Sequence, residues 1–281
     1  MTGEADEYVA ARSALLDALT ALEPHLDAFV LVGAQAIYLR VGEADVAVPG
    51  STTDGDLAID PALLRDAPII PEAMEGAHFG LREERPGVKE PGTWELGFDG
   101  PTVDLLVPRS LRPVGRRGAR LGVHGNQAAK TVAGLEGALV DRDHMLIPAL
   151  VAGDRRRFTL WVAGPAALLV MKAYKIGEHL DDGRAVEDKD AYDILRLLRD
   201  VPMVELVQRY AKILGDPLAA DSAARGRRLL RQLFGERDST GSLMAGRAAG
   251  VLDDPEGIAV SCAALTRDLL TGLSRRRRRR T

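Results

Sequence analysis

The chain has 281 residues, of which 46% are hydrophobic and 28% charged, so it can bury a core and is not a disordered protein. Its net charge of -4 excludes a protein that attracts nucleic acid by bulk charge alone, and its single cysteine, Cys262, excludes an intrachain disulfide framework. Aromatic residues make up only 4%, which argues against an aromatic platform for stacking bases, and we expect Trp94 and Trp161 in the core.

The N-terminal segment is acidic and amphipathic, unlike a signal peptide. No apolar run approaches the about 18 residues that a membrane-spanning helix needs. We therefore expect a cytoplasmic protein without a membrane partner.

The first part of the chain mixes helical periodicity with short apolar runs. We expect, in chain order, a helix over 6–22, a buried strand over 28–32 that ends at Gly33, a helix over 34–40, a loop over 41–51 and a strand over 57–59.

A β-hairpin is the clearest local signal, because the apolar runs 93–98 and 102–107 flank the turn sequence Asp99-Gly100. Residues 111–125 are rich in glycine and arginine, which predicts a mobile surface loop. Two further strands are predicted over 138–147 and 157–162.

Helical periodicity dominates after Gly164-Pro165, where proline suits the first turn of a helix. We predict helices over 166–176, 189–198, 203–214, 223–234 and 257–273. The predicted domains are residues 1–163 with a mixed sheet, the all-helical residues 164–274, and the basic tail 275–281. The predicted fold class is therefore α+β.

Three aspartates occur where strands are expected. Asp54 and Asp56 lie two residues apart, so both project from one face if the strand begins at Asp54. Asp104 interrupts an apolar run, and burying its charge is costly unless a cation neutralises it. Together they suit one or two Mg²⁺ ions, which prefer carboxylate oxygens. The alternative is that Asp54 is a turn residue and Asp104 lies on the surface of an edge strand.

A glycine precedes these aspartates by about twenty residues. Gly33-Ala34 follows a predicted strand and opens a predicted helix, where a bare backbone can approach a triphosphate and helical N–H groups favour anions. A glycine at such a turn can also be purely structural.

With these motifs the sequence resembles the nucleotidyltransferase superfamily, of the polymerase-beta type, and within it the AbiEii/AbiGii-type toxins, which include the MenT-type toxins of type IV-like toxin–antitoxin systems. The similarity runs through LVGAQAIYLR, STTDGDLAID and TVDLLVP and continues in the segment AGPAALLVMKAYKIGEHLDDGRAVEDKDAYDILRLL. It covers roughly residues 28–200 and implies a polymerase-beta-like core followed by a helical domain.

The resemblance implies a role for each matching position. Asp54, Asp56 and Asp104 would bind Mg²⁺ or Mn²⁺, Asp104 would help to deprotonate the attacking hydroxyl, and Lys172 would neutralise the triphosphate. The nucleotide would be contacted by Gly33, Ala34, Lys172, Lys189 and Asp190, and Asp190 or Asp193 would alternatively orient Lys172. Thr53, or alternatively Thr52 or Ser51, would supply the phosphate-binding hydroxyl that Ala34 lacks. The chain departs from the family at Ala34, where serine is usual, and at Gly55, where an apolar residue is usual.

The family activity implied is transfer of a nucleoside monophosphate from an NTP, with CTP as one candidate, to the 3′ end of tRNA, with a cognate antitoxin as a further partner. Arginines cluster in several places, and such clusters either bind phosphates or are simply solvated. Examples are Arg112, Arg116, Arg117 and Arg120 after the hairpin, and the tail from Arg275 to Arg280. A small-molecule acceptor such as an aminoglycoside, a protein acceptor, and a non-catalytic binding protein remain open.

Overall fold

The computed structural model describes residues 2–42, 52–111, 118–249 and 254–278. Within them, strands and helices are mixed up to Ala163, and the elements that follow are helical. The helices are α1 (Thr2–Ala21), α2 (Gly33–Val41), α3 (Ile70–Gly76), α4 (Pro165–Asp181), α5 (Asp188–Asp200), α6 (Met203–Leu214), α7 (Ala220–Phe234), α8 (Thr240–Ala248) and α9 (Pro255–Arg278). The strands are β1 (Phe29–Val32), β2 (Asp54–Ile59), β3 (Phe79–Arg85), β4 (Val88–Leu96), β5 (Thr102–Pro108), β6 (Lys130–Val132), β7 (Arg142–Pro148) and β8 (Arg157–Ala163).

The described strands form one mixed sheet in the order β3-β4-β5-β2-β1-β8-β7, with β6 paired to β5. β1 runs antiparallel to β2 and parallel to β8, whereas β2 runs parallel to β5. The α+β class with a mixed sheet and a helical C-terminal region is therefore confirmed.

Helix α1 covers one face of this sheet. Its apolar positions Leu15, Leu16 and Leu19 are fully buried, and a Cβ built on Gly55 would lie 3.2 Å from Leu15. Because successive side chains of a strand alternate, Gly55 faces α1 and its neighbour Asp56 faces away from it. The glycine that departs from the family pattern thus lies on the packed face, away from the carboxylates.

Contacts divide the chain into two compact units. The first comprises Met1–Ala36, Pro49–Val132 and Arg142–Ala163, and the second comprises Ile37–Val48, Ala133–Asp141 and Gly164–Thr281. The second unit thus includes two segments that precede Gly164 in the chain.

Several predicted elements differ from the observed ones. β2 begins at Asp54 and not at Leu57, and 136–139 is a 3-10 helix before β7 begins at Arg142. α3, β3, β6 and α8 were not predicted, because each is short or lacks a clear period. Residues 43–51 of the predicted loop and 112–117 of the predicted mobile loop lie outside the described residues.

The basic tail is helical where it is described, because α9 continues to Arg278. In the described part of the chain, no helix is both long and apolar enough to cross a bilayer.

The start of α4 is held by Asp141 within the second unit. Asp141 Oδ2 accepts hydrogen bonds from the backbone N–H groups of Ala166 and Ala167 at 3.1 and 3.2 Å, and Oδ1 lies 2.9 Å from Arg209 Nη1. Asp141 is fully buried, so these donors replace water around its charge. A residue far from α4 in sequence thus caps its first turn.

We expect Asp141→Ala to lower the free energy of unfolding by about 3 kcal/mol, because it removes a helix cap and leaves Arg209 without its buried partner. Asp141→Asn keeps one acceptor oxygen and should lose about half as much. Urea denaturation followed by circular dichroism measures both, and equal losses in the two variants would contradict a role for the carboxylate charge.

Candidate functional site

The strand register brings the three predicted aspartates to one face of the sheet in the first unit. Asp56 of β2 lies directly opposite Asp104 of β5, and Asp54 lies opposite Thr102. Because directly paired residues point to the same face, Asp54, Asp56 and Asp104 share that face. The strand begins at Asp54, which meets the condition on which the sequence prediction depended.

Gly33 lies immediately against Asp56. Gly33 opens α2 with φ of +69°, and a Cβ built on it would lie 1.9 Å from Asp56 Oδ2. Both the left-handed backbone and the adjacent carboxylate require a residue without a side chain. The glycine of the predicted phosphate turn and one of the predicted metal ligands are thus in contact, and Ala34 follows in the first turn of α2.

Asp54 is held by polar contacts on both its side chain and its backbone. Thr52, which is buried, donates its hydroxyl to Asp54 Oδ1 at 2.6 Å, whereas Thr53 is exposed. Gln35 Nε2 donates to the Asp54 carbonyl at 3.0 Å, and Gln35 Oε1 accepts from Arg12 Nε at 2.7 Å. The Thr52 hydroxyl is therefore engaged by the aspartate, and a contact of Thr53 with a nucleotide stays a prediction.

Asp104 forms an ion pair that the sequence analysis missed. Lys130 Nζ lies 2.7 Å from Asp104 Oδ2 and donates to Thr93 Oγ1 at 2.9 Å, and Glu90 lies 3.4 Å away. Asp104 Oδ1 is buried and has no hydrogen-bond partner among the described residues. Oδ2 of this carboxylate is therefore held by Lys130, whereas Oδ1 is covered and lacks a hydrogen bond.

The charge state of this pair follows from burial and neighbours. Burial raises the pKa of Asp104 and the charge of Asp54 adds to this, whereas Lys130 and a hydrogen bond with Thr93 only partly offset it. Burial acts to lower the pKa of Lys130, but the carboxylates of Asp104, Glu90 and Asp56 outweigh it and raise that pKa above its usual value. Lys130 is therefore the protonated cation of the cluster at neutral pH.

The donor set fits a divalent cation only in part. The carboxylate oxygens of Asp54 and Asp56 are of the kind that Mg²⁺ prefers. Among the described residues, however, no group of three His, Cys, Asp or Glu side chains stands close enough to hold one ion. Since Lys130 engages Asp104, the pair Asp54 and Asp56 is the part that fits, and a share for Asp104 stays a prediction.

A second charged cluster is buried in the second unit. Lys172 Nζ lies 2.6 Å from Asp190 Oδ1 and 2.8 Å from Asp193 Oδ2, and Lys175 Nζ lies 3.0 Å from Asp190 Oδ2. Burial acts to lower the pKa of Lys172, but the two aspartates raise it well above its usual value. Burial acts to raise the pKa of Asp190, but Lys172 and Lys175 hold that pKa well below its usual range.

This cluster favours one of the two roles expected for Asp190. A carboxylate at 2.6 Å from Lys172 orients that lysine, and two carboxylates already balance its charge. Lys189 is partly exposed, and its Nζ lies 3.2 Å from Glu187 Oε2. Contacts of Lys172, Lys189 and Asp190 with a nucleotide stay predictions.

Lys130, Thr93 and Gln35 are the polar residues around the aspartates that sequence reasoning did not single out. Lys130 stands in an apolar stretch, AAKTVA, which is the same signal that pointed to Asp104. A charged residue inside an apolar stretch is costly to bury alone, so the same reasoning applied to Lys130 would have suggested that it is the counter-ion of a buried carboxylate.

Comparison with known proteins assigns no family. No protein-family model matches the chain, and neither a curated protein nor a solved structure matches it. The resemblance to nucleotidyltransferases therefore rests on the quoted motifs.

The contact of Gly33 with Asp56 predicts a position-specific cost. We expect Gly33→Ala to lower the free energy of unfolding by about 3 kcal/mol, from left-handed strain and overpacking against the carboxylate. Gly42 is the matched control, because its φ is +76° and a Cβ built on it meets nothing within 4 Å. Gly42→Ala should cost about 1 kcal/mol, from strain alone. Equal values in urea denaturation would show that Asp56 does not restrict residue 33.

The depressed pKa of Asp190 predicts an acid-dependent loss of stability. Its ion pairs stabilise the fold above the unfolded-state pKa of about 3.9, and this contribution is lost as pH falls through the lower folded-state pKa. We expect the free energy of unfolding to decline below about pH 5 and to decline less in Asp190→Asn, which should itself cost about 3–5 kcal/mol at pH 7.

The control is Asp188→Asn in the same helical turn. Asp188 pairs with Arg247 at 2.7 Å near the surface, so its loss should cost less than about 1 kcal/mol and leave the acid dependence intact. Urea titrations between pH 3 and pH 7 measure both variants. An unchanged acid slope in Asp190→Asn would rule out this origin.

Proposed function

We propose that the chain is a nucleotidyltransferase that moves a nucleoside monophosphate from an NTP to an acceptor hydroxyl, with the 3′ end of tRNA as the acceptor. The observation that carries this proposal is the shared sheet face of Asp54, Asp56 and Asp104, with the Asp56 carboxylate against the left-handed Gly33 at the start of α2. Carboxylates beside a helix N-terminus suit a cation that carries phosphates.

Phosphate binding is assigned to the turn at Gly33 and Ala34. The first N–H groups of α2 lack helical partners and favour anionic oxygens. Ala34 provides no hydroxyl, and the Thr52 hydroxyl already donates to Asp54. The exposed Thr53 is therefore the side chain that we assign to a phosphate oxygen.

A magnesium or manganese ion held by Asp54 and Asp56 would neutralise the triphosphate and polarise its α-phosphorus. The acceptor hydroxyl attacks that phosphorus in line, its proton passes to Asp104 Oδ1, and pyrophosphate leaves. Lys130 holds Asp104 Oδ2 at 2.7 Å and so fixes the direction of Oδ1. Catalysis then depends on positioning and charge neutralisation.

Lys172 is assigned a positioning role for α4 and α5, because Asp190 and Asp193 already balance its charge. A contact of Lys189 with the triphosphate follows from the family resemblance alone.

The tRNA acceptor, the toxin activity, the cognate antitoxin and a cytoplasmic location follow from the family resemblance. The arginine clusters support it unevenly. Arg156 pairs with both Asp154 and Asp17, so it is not available for phosphate, whereas Arg155 and Arg157 are exposed. Arg112, Arg116 and Arg117 lie outside the described residues, and Arg120 is exposed.

The test is to incubate the full chain with each labelled NTP, Mg²⁺ and total tRNA. We expect label on tRNA, and a loss of at least about 100-fold in Asp56→Asn and Asp54→Asn because phosphate charge is no longer neutralised. Asp99→Asn is the matched control, because Asp99 lies in the turn between β4 and β5 with φ of 54°, which asparagine tolerates. Its activity should equal that of the unmodified chain.

Other outcomes separate the remaining functions. Label on an aminoglycoside or a protein, with none on tRNA, would overturn the acceptor and keep the transfer reaction. A third outcome is that no NTP gives label, although the chain is folded and electron paramagnetic resonance titrations detect no bound Mn²⁺. This outcome would overturn the proposal of an enzyme and favour a binding protein. Full activity of Asp56→Asn would exclude the proposed site.

A further inference from the structure

Arg142, His144 and Trp161 form a stack at the β7 side of the described sheet. His144 and Trp161 are directly paired residues of β7 and β8, and their rings stack with centroids 3.6 Å apart and an angle of 21°. The guanidinium carbon of Arg142 lies 4.6 Å from the centroid of the Trp161 ring. A cation and two rings are thus held together by strand pairing.

These residues are not core residues. Trp94 is fully buried and donates its indole N–H to the Ala128 carbonyl at 3.0 Å, as a core tryptophan does. Trp161, which we also expected in the core, is only partly buried, and His144 is exposed. Because Trp161 covers one face of the imidazole, the other face is left for a further ring.

Arg142 is only weakly compensated by opposite charge. Asp60 acts on it from a distance, and in the described residues its Nη1 is covered without a hydrogen-bond partner. A guanidinium in this state, beside an aromatic stack, suits an anionic oxygen.

The stack lies on the same sheet face as the aspartates. Trp161 is opposite Val30, and Val30 is opposite Ala58, which is two residues from Asp56. Two strand spacings and two residues along the strand place Asp56 and Trp161 about 12 Å apart at their Cα atoms. A short single-stranded end is long enough for that distance, and it would pass outside Val30 and Ala58, which are fully buried.

We propose that His144, Trp161 and Arg142 bind the single-stranded 3′ end of the acceptor RNA, with a base stacked on His144 and a backbone phosphate at Arg142. This deepens the proposed function and rests on it. Stacking with a neighbouring arginine tolerates any base and suits unpaired nucleotides, whose ring faces are accessible. The low aromatic content did not reveal it, because one stack requires only two rings.

The experiment measures binding alone, by fluorescence anisotropy without NTP or metal. Two labelled RNA hairpins share one stem, and one of them carries four unpaired 3′ nucleotides. We expect the full chain to bind the extended hairpin at least about tenfold more tightly than the blunt one, given the contribution of stacking per base. His144→Ala should weaken binding of the extended hairpin at least about fivefold and leave the blunt hairpin unchanged.

His144→Phe keeps a ring at this position and should restore tight binding of the extended hairpin. Phe98→Ala is the matched control, because Phe98 is 92% exposed and lies in the turn between β4 and β5. Equal affinity for the two hairpins, or equal behaviour of His144→Ala and Phe98→Ala, would overturn the RNA site.

The two proposals fail separately. A chain that distinguishes the hairpins but transfers no label keeps the RNA site and loses the transfer reaction. A chain that labels RNA with the same KM after His144→Ala keeps the reaction and loses the RNA site.

Discussion

The parallel pairing of β2 with β5 imposes the main electrostatic constraint on the first unit. It sets Asp56 directly opposite Asp104, and like charges at such positions repel each other. Lys130, on the short strand beside β5, lies 2.7 Å from Asp104 and supplies the opposing charge. The sheet thus contains its own counter-ion, so that an external cation is not needed to hold the strands together. This allows a cation to be bound for chemistry instead of for folding.

The two buried lysines differ in how completely their partners are satisfied. Lys172 is enclosed by two carboxylates, one of which also binds Lys175, which is the pattern of a structural ion network. Asp104 Oδ1 and Asp190 Oδ2 are both covered without a hydrogen-bond partner in the described chain, but Asp190 Oδ2 lies 3.0 Å from Lys175 Nζ, whereas the cation beside Asp104 is at its other oxygen, Oδ2. Such an incomplete pair is costly unless a ligand completes it. This difference supports the proposal that the chemistry lies at the aspartates and that the lysine cluster stabilises the fold.

Local signals predicted the hairpin of β4 and β5, the turn at Gly33 and the face shared by Asp54 and Asp56, because each depends on residues close together in sequence. The counter-ion Lys130 was missed because β6 has three residues and no period. The His144 and Trp161 stack was missed because it exists only in the register of β7 with β8. Asp141 caps a helix that begins 24 residues later, and no local sequence pattern predicts such a contact. The contacts that the sequence did not predict are therefore those between residues far apart in the chain.

Because Gly33 and Asp56 are in contact, the residue types that evolution can accept at position 33 depend on the residue at position 56. A left-handed backbone ordinarily admits asparagine and aspartate as well as glycine. At residue 33 the neighbouring carboxylate leaves no room for either, so glycine is the one solution while Asp56 is present. Descendants that replace Asp56 by a smaller residue would gain tolerance for asparagine at residue 33. Covariation of these two sites would then separate lineages that keep the acidic site from those that have abandoned it.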